Sequence, residues 1–141
     1  MTRWLNSLQP WGVVLLRLVL GVAMLASGWE KVYSPNILHG HNTLAALDHY
    51  CHYIASLGLP YWLGYISAFT EVVGGLCLLI GLFVRFFSFL VAGNMLTAIV
   101  MVNRHHGYSG SAYSIALLAI ATMLLLAGPG RLALDRRMGL I

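Results

Sequence analysis

The chain has 141 residues, 60% of them hydrophobic and only 9% charged, with a net charge of +4. A soluble domain carries about 25% charged residues, and a chain this short cannot hide so large an apolar excess in an aqueous core. No basic stripe interleaved with aromatics is present, so nucleic-acid binding is set aside, and two cysteines without a CxxC give no disulfide framework and suggest neither a redox dithiol nor a cysteine zinc site.

The apolar residues fall into four runs, at about 11–29, 61–84, 86–102 and 112–128. Each is 17 residues or longer, so all four are read as membrane-spanning helices of a single domain covering 1–141. The expected fold class is all-α, an integral membrane four-helix bundle. The first run holds Arg17 and is read as a retained helix, not a cleaved signal peptide. The second and third are separated by little more than Arg85, which predicts a tight antiparallel hairpin with Arg85 at its turn. Four spans put both termini on one side. That side would carry Arg3, Arg85, Arg131, Arg136 and Arg137, against Lys31 and Arg104 on the other, so the termini are expected in the cytoplasm.

Between the first two spans, Leu44, Leu47, Cys51, Ile54 and Leu57 recur at helical spacing, and Gly58 and Pro60 follow. An amphipathic helix on the outer membrane surface, or capping the bundle, is expected there. Cys51 would lie outside the bilayer and Cys77 far along a span, too distant to be bridged.

Polar residues inside the spans are the first functional candidates. Counted from the span ends, Arg17, Glu71 and Asn94 lie roughly 9, 15 and 13 Å deep at 1.5 Å per residue. A lone charge there costs at least about 2.5–3.5 kcal/mol, so Arg17 and Glu71 are expected to pair, with Asn94 adding a hydrogen bond. The alternatives are a polar pocket for a quinone head group, substrate or proton, and a structural ion pair that sets helix register. Glu30 and Lys31, at the outer end of the first span, are either snorkelling side chains or a polar gate above the pair. Gly21, Gly28, Gly74, Gly75 and Gly93 would let the helices approach closely.

Histidines are the second candidates. His39, His41, His49 and His52 lie in the first outer loop, and His105 and His106 in the second. His49 and His52, three apart and next to Asp48, share a helix face, and with His105 and His106 they are candidate metal ligands. Solvated or pH-sensing histidines are the plainer reading, because no HExxH is present and no histidine lies within a span.

The chain resembles the DoxX family (DoxX/DoxD-like small four-helix membrane proteins). The likeness runs through Arg17-Leu-Val-Leu-Gly21, Gly28-Trp-Glu-Lys31 and Gly58-Leu-Pro60. It continues in Glu71-Val-Val-Gly-Gly75 and Gly81-Leu-Phe-Val-Arg85, and ends in Gly128-Pro-Gly-Arg-Leu-Ala-Leu-Asp135. The family includes a subunit of an archaeal thiosulfate:quinone oxidoreductase. The resemblance implies a multi-pass protein of the bacterial inner membrane, a subunit or accessory of a redox, quinone-linked complex. No flavin, haem or iron–sulfur motif is present, so electrons would come from a partner protein, and the expected bound molecules are a quinone or lipid. The alternatives are a non-catalytic assembly subunit that binds lipid and a larger membrane complex, and a small-molecule carrier working as a homo-oligomer.

Overall fold

The structure, a computed structural model, describes residues 2–33, 43–102 and 107–139. Helix α1 spans Thr2–Val32, α2 Thr43–Ser56, α3 Tyr61–Ile80, α4 Val84–Thr97, α5 Gly107–Ala127 and α6 Leu134–Arg137. A π-helical turn, Ala98–Val102, continues α4. There are no strands among the described residues. Four helices are long and apolar enough to cross a membrane, at Leu8–Val32, Tyr61–Ile80, Val84–Met101 and Gly107–Ala127. In lipid every backbone N–H and C=O must be satisfied within its own segment, which is why runs of this composition become helices.

The ends of the helices follow local chemistry. The second span stops at Ile80, short of the expected 84. Gly81 adopts φ +77 there and donates its N–H to the carbonyls of Cys77 and Leu78, closing the last turn. Phe83 also takes a left-handed conformation, at φ 49. The α3–α4 turn is therefore Gly81-Leu-Phe83, and Arg85 lies in the first turn of α4 instead of at the turn. The turn is held by Asp135, whose carboxylate accepts the N–H groups of Phe83 at 2.7 Å and Val84 at 2.9 Å. These are two of the donors a helix start leaves open, and a carboxylate also suits the positive end of the helix dipole.

α1 packs antiparallel along α3, α4 packs along α5, and α2 lies against α3. A core of Leu20, Met24, Leu78, Val91, Ala121 and Leu124 fills the space between the long helices. Lipid tails are as apolar as this core, so close packing rather than water exclusion drives the helices together. Gly75 illustrates the approach. A methyl group there would fall 2.8 Å from the Leu25 nitrogen and 2.9 Å from the Gly21 oxygen, both backbone atoms that cannot yield. Gly74 faces the Phe87 ring, whereas Gly93 meets nothing within 4 Å.

The α2 helix forms in the expected segment and ends at Ser56, before Gly58 at φ +84. Its covered face includes Ala46, Cys51 and Ile54; Leu44, expected on that face, is exposed at the start of the helix. Cys51 sits directly over Gly64 of α3. Both cysteines are free. The loop after α5 packs against Pro10, Val13 and Val14 of α1, so the first and last helices share one end of the bundle with the α3–α4 turn.

Candidate functional site

The polar residues of α1 and α3 separate into two groups at different heights, contrary to the expected Arg17–Glu71 pair. Antiparallel packing places Gly28 against Val72, Gly21 against Leu79, and Arg17 against Gly81. Glu71 is ten residues before Gly81, roughly 15 Å farther along α3, beyond the reach of a guanidinium. Counting depth from Trp11 and Tyr61 fails because it assumes the two span ends are level, whereas helix register is set by the glycine contacts.

Arg17 is instead a clamp on the loop after α5. It is 2% exposed, and donates from Nη1 to the Pro129 carbonyl at 2.6 Å and from Nη2 to the Leu132 carbonyl at 2.9 Å. The Asp135 carboxylate lies within electrostatic reach. Arg17 does not line the cavity that holds Glu71.

Glu71 pairs with Lys31. The Lys31 ammonium lies 2.5 Å from Glu71 Oε1, with the two side chains 24% and 1% exposed. Lys31 therefore does not stand as a gate above a buried pair; it is the buried pair's base. Glu30 is exposed and does not line the cavity. Asn94 Nδ2 donates to Glu71 Oε1 at 2.9 Å, and Ser27 Oγ donates to Glu71 Oε2 at 3.3 Å. Ser67 Oγ donates to Asn94 Oδ1 at 2.8 Å, and the Tyr50 hydroxyl lies 3.0 Å from Ser67 Oγ. Lys31 Nζ is 4.7 Å from the centre of the Tyr50 ring, where its charge meets the π face. One network thus joins α1, α2, α3 and α4.

This network lines a cavity of about 450 Å³. The remaining walls are mostly apolar, including Ile54, Leu63, Leu90 and Met95. Ile66, Phe89 and Tyr113 also line it and are exposed on the flanks of the bundle, so its apolar side reaches the lipid-facing surface. Thr97 at the end of α4 lines it too, as do Ala98 and Met101 of the π-helical turn. Such turns are frequent at functional sites. A concave, apolar space with a few convergent polar groups is the usual form of a small-molecule site.

Tyr50, Ser27 and Ser67 are the residues that sequence reasoning missed. A signal was present: Ser27 and Lys31 are four apart on α1, and Ser67 and Glu71 are four apart on α3. Each pair marks one polar face on an otherwise apolar span.

On α2, His52 Nδ1 lies 2.9 Å from the Asp48 carbonyl oxygen and 3.4 Å from its carboxylate, and its ring packs edge-on to Tyr61. The Tyr61 hydroxyl donates to the same carboxylate. His49 is exposed. Among the described residues no three His, Cys, Asp or Glu side chains form a metal-binding group. Arg104, His39, His41, His105 and His106 lie outside the described residues.

No solved structure matches the chain significantly. Among curated proteins, the chain is similar to one from Bacillus subtilis (strain 168) named "Putative oxidoreductase CatD", with 28% identity over 125 residues. That alignment covers 88% of this chain and 84% of the relative. The DoxX family profile matches residues 12–104, taking in Arg17, Lys31, Glu71 and Asn94 together with all of α2, α3 and α4. The chain, a multi-pass membrane protein, belongs to the DoxX family.

Proposed function

We propose that the protein is a bacterial inner-membrane subunit or accessory of a redox complex, and that the Lys31–Glu71–Asn94 cavity receives a quinone head group from the bilayer. The observation that carries this reading is a cavity of about 450 Å³ whose polar groups converge on Glu71 while its apolar side reaches the lipid-facing surface. A lipid-soluble ring with two carbonyl oxygens fits both halves. The Lys31 ammonium and the Asn94 amide supply donors for one carbonyl, and Glu71 is placed to hold or pass a proton. The name of the Bacillus relative supports redox chemistry. Electrons would come from a partner protein.

The termini are assigned to the cytoplasm. Their end of the bundle carries Arg3, Arg85, Arg131, Arg136 and Arg137, and an excess of basic residues marks the cytoplasmic side. The cavity and α2 then face the outer half of the membrane, with Tyr50 and Ile54 of α2 forming part of the cavity wall.

The test is solvent extraction of the protein purified in mild detergent, with quinones quantified per chain for wild type and Glu71→Gln. Near-stoichiometric quinone in the wild type and little in the variant is the expected result. Quinone at the level of the surrounding detergent and lipid in both removes the reading.

A second reading, an assembly subunit docking a larger complex, has one observation in its favour. Only 28% of the apolar window of α4 and of α5 is buried, against 39% for α1 and 44% for α3. Those two helices offer the most free surface for partner helices. A stoichiometric partner that co-purifies with an empty cavity would favour it.

A further inference from the structure

A second cavity, of about 530 Å³, opens at the end of the bundle that carries the termini. Pro10 and Val13 of α1, Ala127 at the end of α5, and Pro129 and Gly130 of the following loop line it together with the polar Gln9 of α1. Its charged walls are Arg85, in the first turn of α4, and Arg136, in α6. The Arg85 guanidinium lies over the backbone of Gly128, with Nε and Nη2 each 3.5 Å from where a methyl group on that residue would sit.

Among the described residues, no carboxylate forms an ion pair with either arginine. The ion pairs among the described residues are Lys31–Glu71 and His52–Asp48, both on the far half of the molecule. The acid closest in sequence, Asp135, is 5% exposed and already accepts the N–H groups of Phe83 and Val84. The carbonyls of Pro129 and Leu132, which would repel an anion, are taken by buried Arg17. Two guanidiniums with no ion-pair partner among the described residues therefore line a cavity in which the Pro129 carbonyl is already taken. Arginine presents a planar fork of N–H donors matched to phosphate oxygens.

The position of the cavity identifies the source of the phosphate. It sits where three apolar spans end, at Pro10, Arg85 and Ala127. Exposed Leu8, Trp11, Phe86 and Leu126 carry apolar surface from its surroundings along the bundle. A soluble phosphate has no use for that surface, whereas acyl chains would lie on it. We propose that Arg85 and Arg136 form a binding site for the phosphate of an anionic glycerophospholipid head group, independent of whatever occupies the Glu71 cavity.

The test is native mass spectrometry of the full chain in mild detergent, titrated with phosphatidylglycerol or phosphatidylcholine, for wild type, Arg85→Gln/Arg136→Gln and Arg131→Gln/Arg137→Gln. The second double variant removes the same charge from the same end of the molecule but outside the cavity. Wild type and the Arg131/Arg137 variant are expected to retain phosphatidylglycerol over phosphatidylcholine. The Arg85/Arg136 variant is expected to lose that preference by about tenfold or more. Equal loss in both double variants would mean diffuse surface charge and overturns the site. Displacement of the lipid by millimolar inorganic phosphate overturns the lipid assignment. Should the Arg85/Arg136 variant fail to fold, the thermal midpoint of the wild type decides: a rise with phosphatidylglycerol but not phosphatidylcholine supports the site, and equal shifts reject it.

Discussion

Replacing Lys31 by methionine is expected to damage the protein more than replacing Glu71 by glutamine, although both break the same ion pair. The asymmetry comes from burial. Glu71 is 1% exposed, so Lys31→Met strands its carboxylate inside the bundle with only the donors of Ser27 and Asn94. Removing the partner of a buried charge costs about 3–5 kcal/mol. Lys31 is 24% exposed, and on losing its partner its long side chain can carry the ammonium outward. Glu71→Gln keeps the shape and one acceptor oxygen but turns an amide N–H₂ toward a donor, a loss of about 1–2 kcal/mol. The difference between the variants is then about 2 kcal/mol, and the double variant is expected to be less destabilised than the sum of the two by about 0.5–3 kcal/mol. Reversible unfolding in mixed micelles, followed by helical circular dichroism, measures all three. Lys31→Met no worse than Glu71→Gln, or strict additivity, would refute the buried pair as described.

Asp135→Asn removes one of the two carboxylate acceptors at the start of α4, and is expected to destabilise by about 1–2 kcal/mol in the same assay. A loss below the error of measurement would mean that the α3–α4 turn stands without that residue. Gly75→Val is expected to cost about 1–3 kcal/mol, because its side chain would press on the backbone of α1, while Gly12→Ala, with nothing within 4 Å, is expected to be neutral or mildly stabilising. Equal effects of the two would place the α1–α3 contact elsewhere. Burial, with Asp48 adding to it, pushes the Cys51 thiol above its ordinary value of 9.0. The thiolate is the reactive form, so at pH 7.5 maleimide should label Cys51 in a Cys77→Ser background more slowly than a free thiol. The rate should still climb with pH after a free thiol has levelled off, and labelling at the free-thiol rate at pH 7.5 would contradict the packing of Cys51 on α3.

Which buried polar groups would pair was only partly legible in the sequence. Glu71 and Asn94 do meet, and their nearness in depth was visible because a short turn joins their helices and keeps them in step. Lys31 takes the place beside Glu71 expected of Arg17 because both lie on α1, 14 residues or roughly 21 Å apart, and the position of α1 along α3 is invisible to hydropathy. Asp135 was out of reach for another reason: it acts on residues 51 and 52 positions away, through a loop that folds back beneath the bundle. The π-helical turn at Ala98–Val102 had no sequence signal, since an apolar run reads the same whether its hydrogen bonds skip four residues or five.

The helices themselves belong to the sequence. Apolar runs of about 20 residues in lipid have no solution other than to satisfy their own backbone, so their number and approximate limits follow from composition alone. The spacing of Leu47, Cys51 and Ile54 likewise contained α2, with Gly58 as its stop. Which charge meets which belongs to the tertiary structure. It depends on how far one helix slides along another, and that is decided where Gly21, Gly28 and Gly75 let two backbones touch. That register hands Glu71 to Lys31, releases Arg17 to hold the closing loop, and leaves Arg85 and Arg136 lining an open cavity with no ion pair among the described residues.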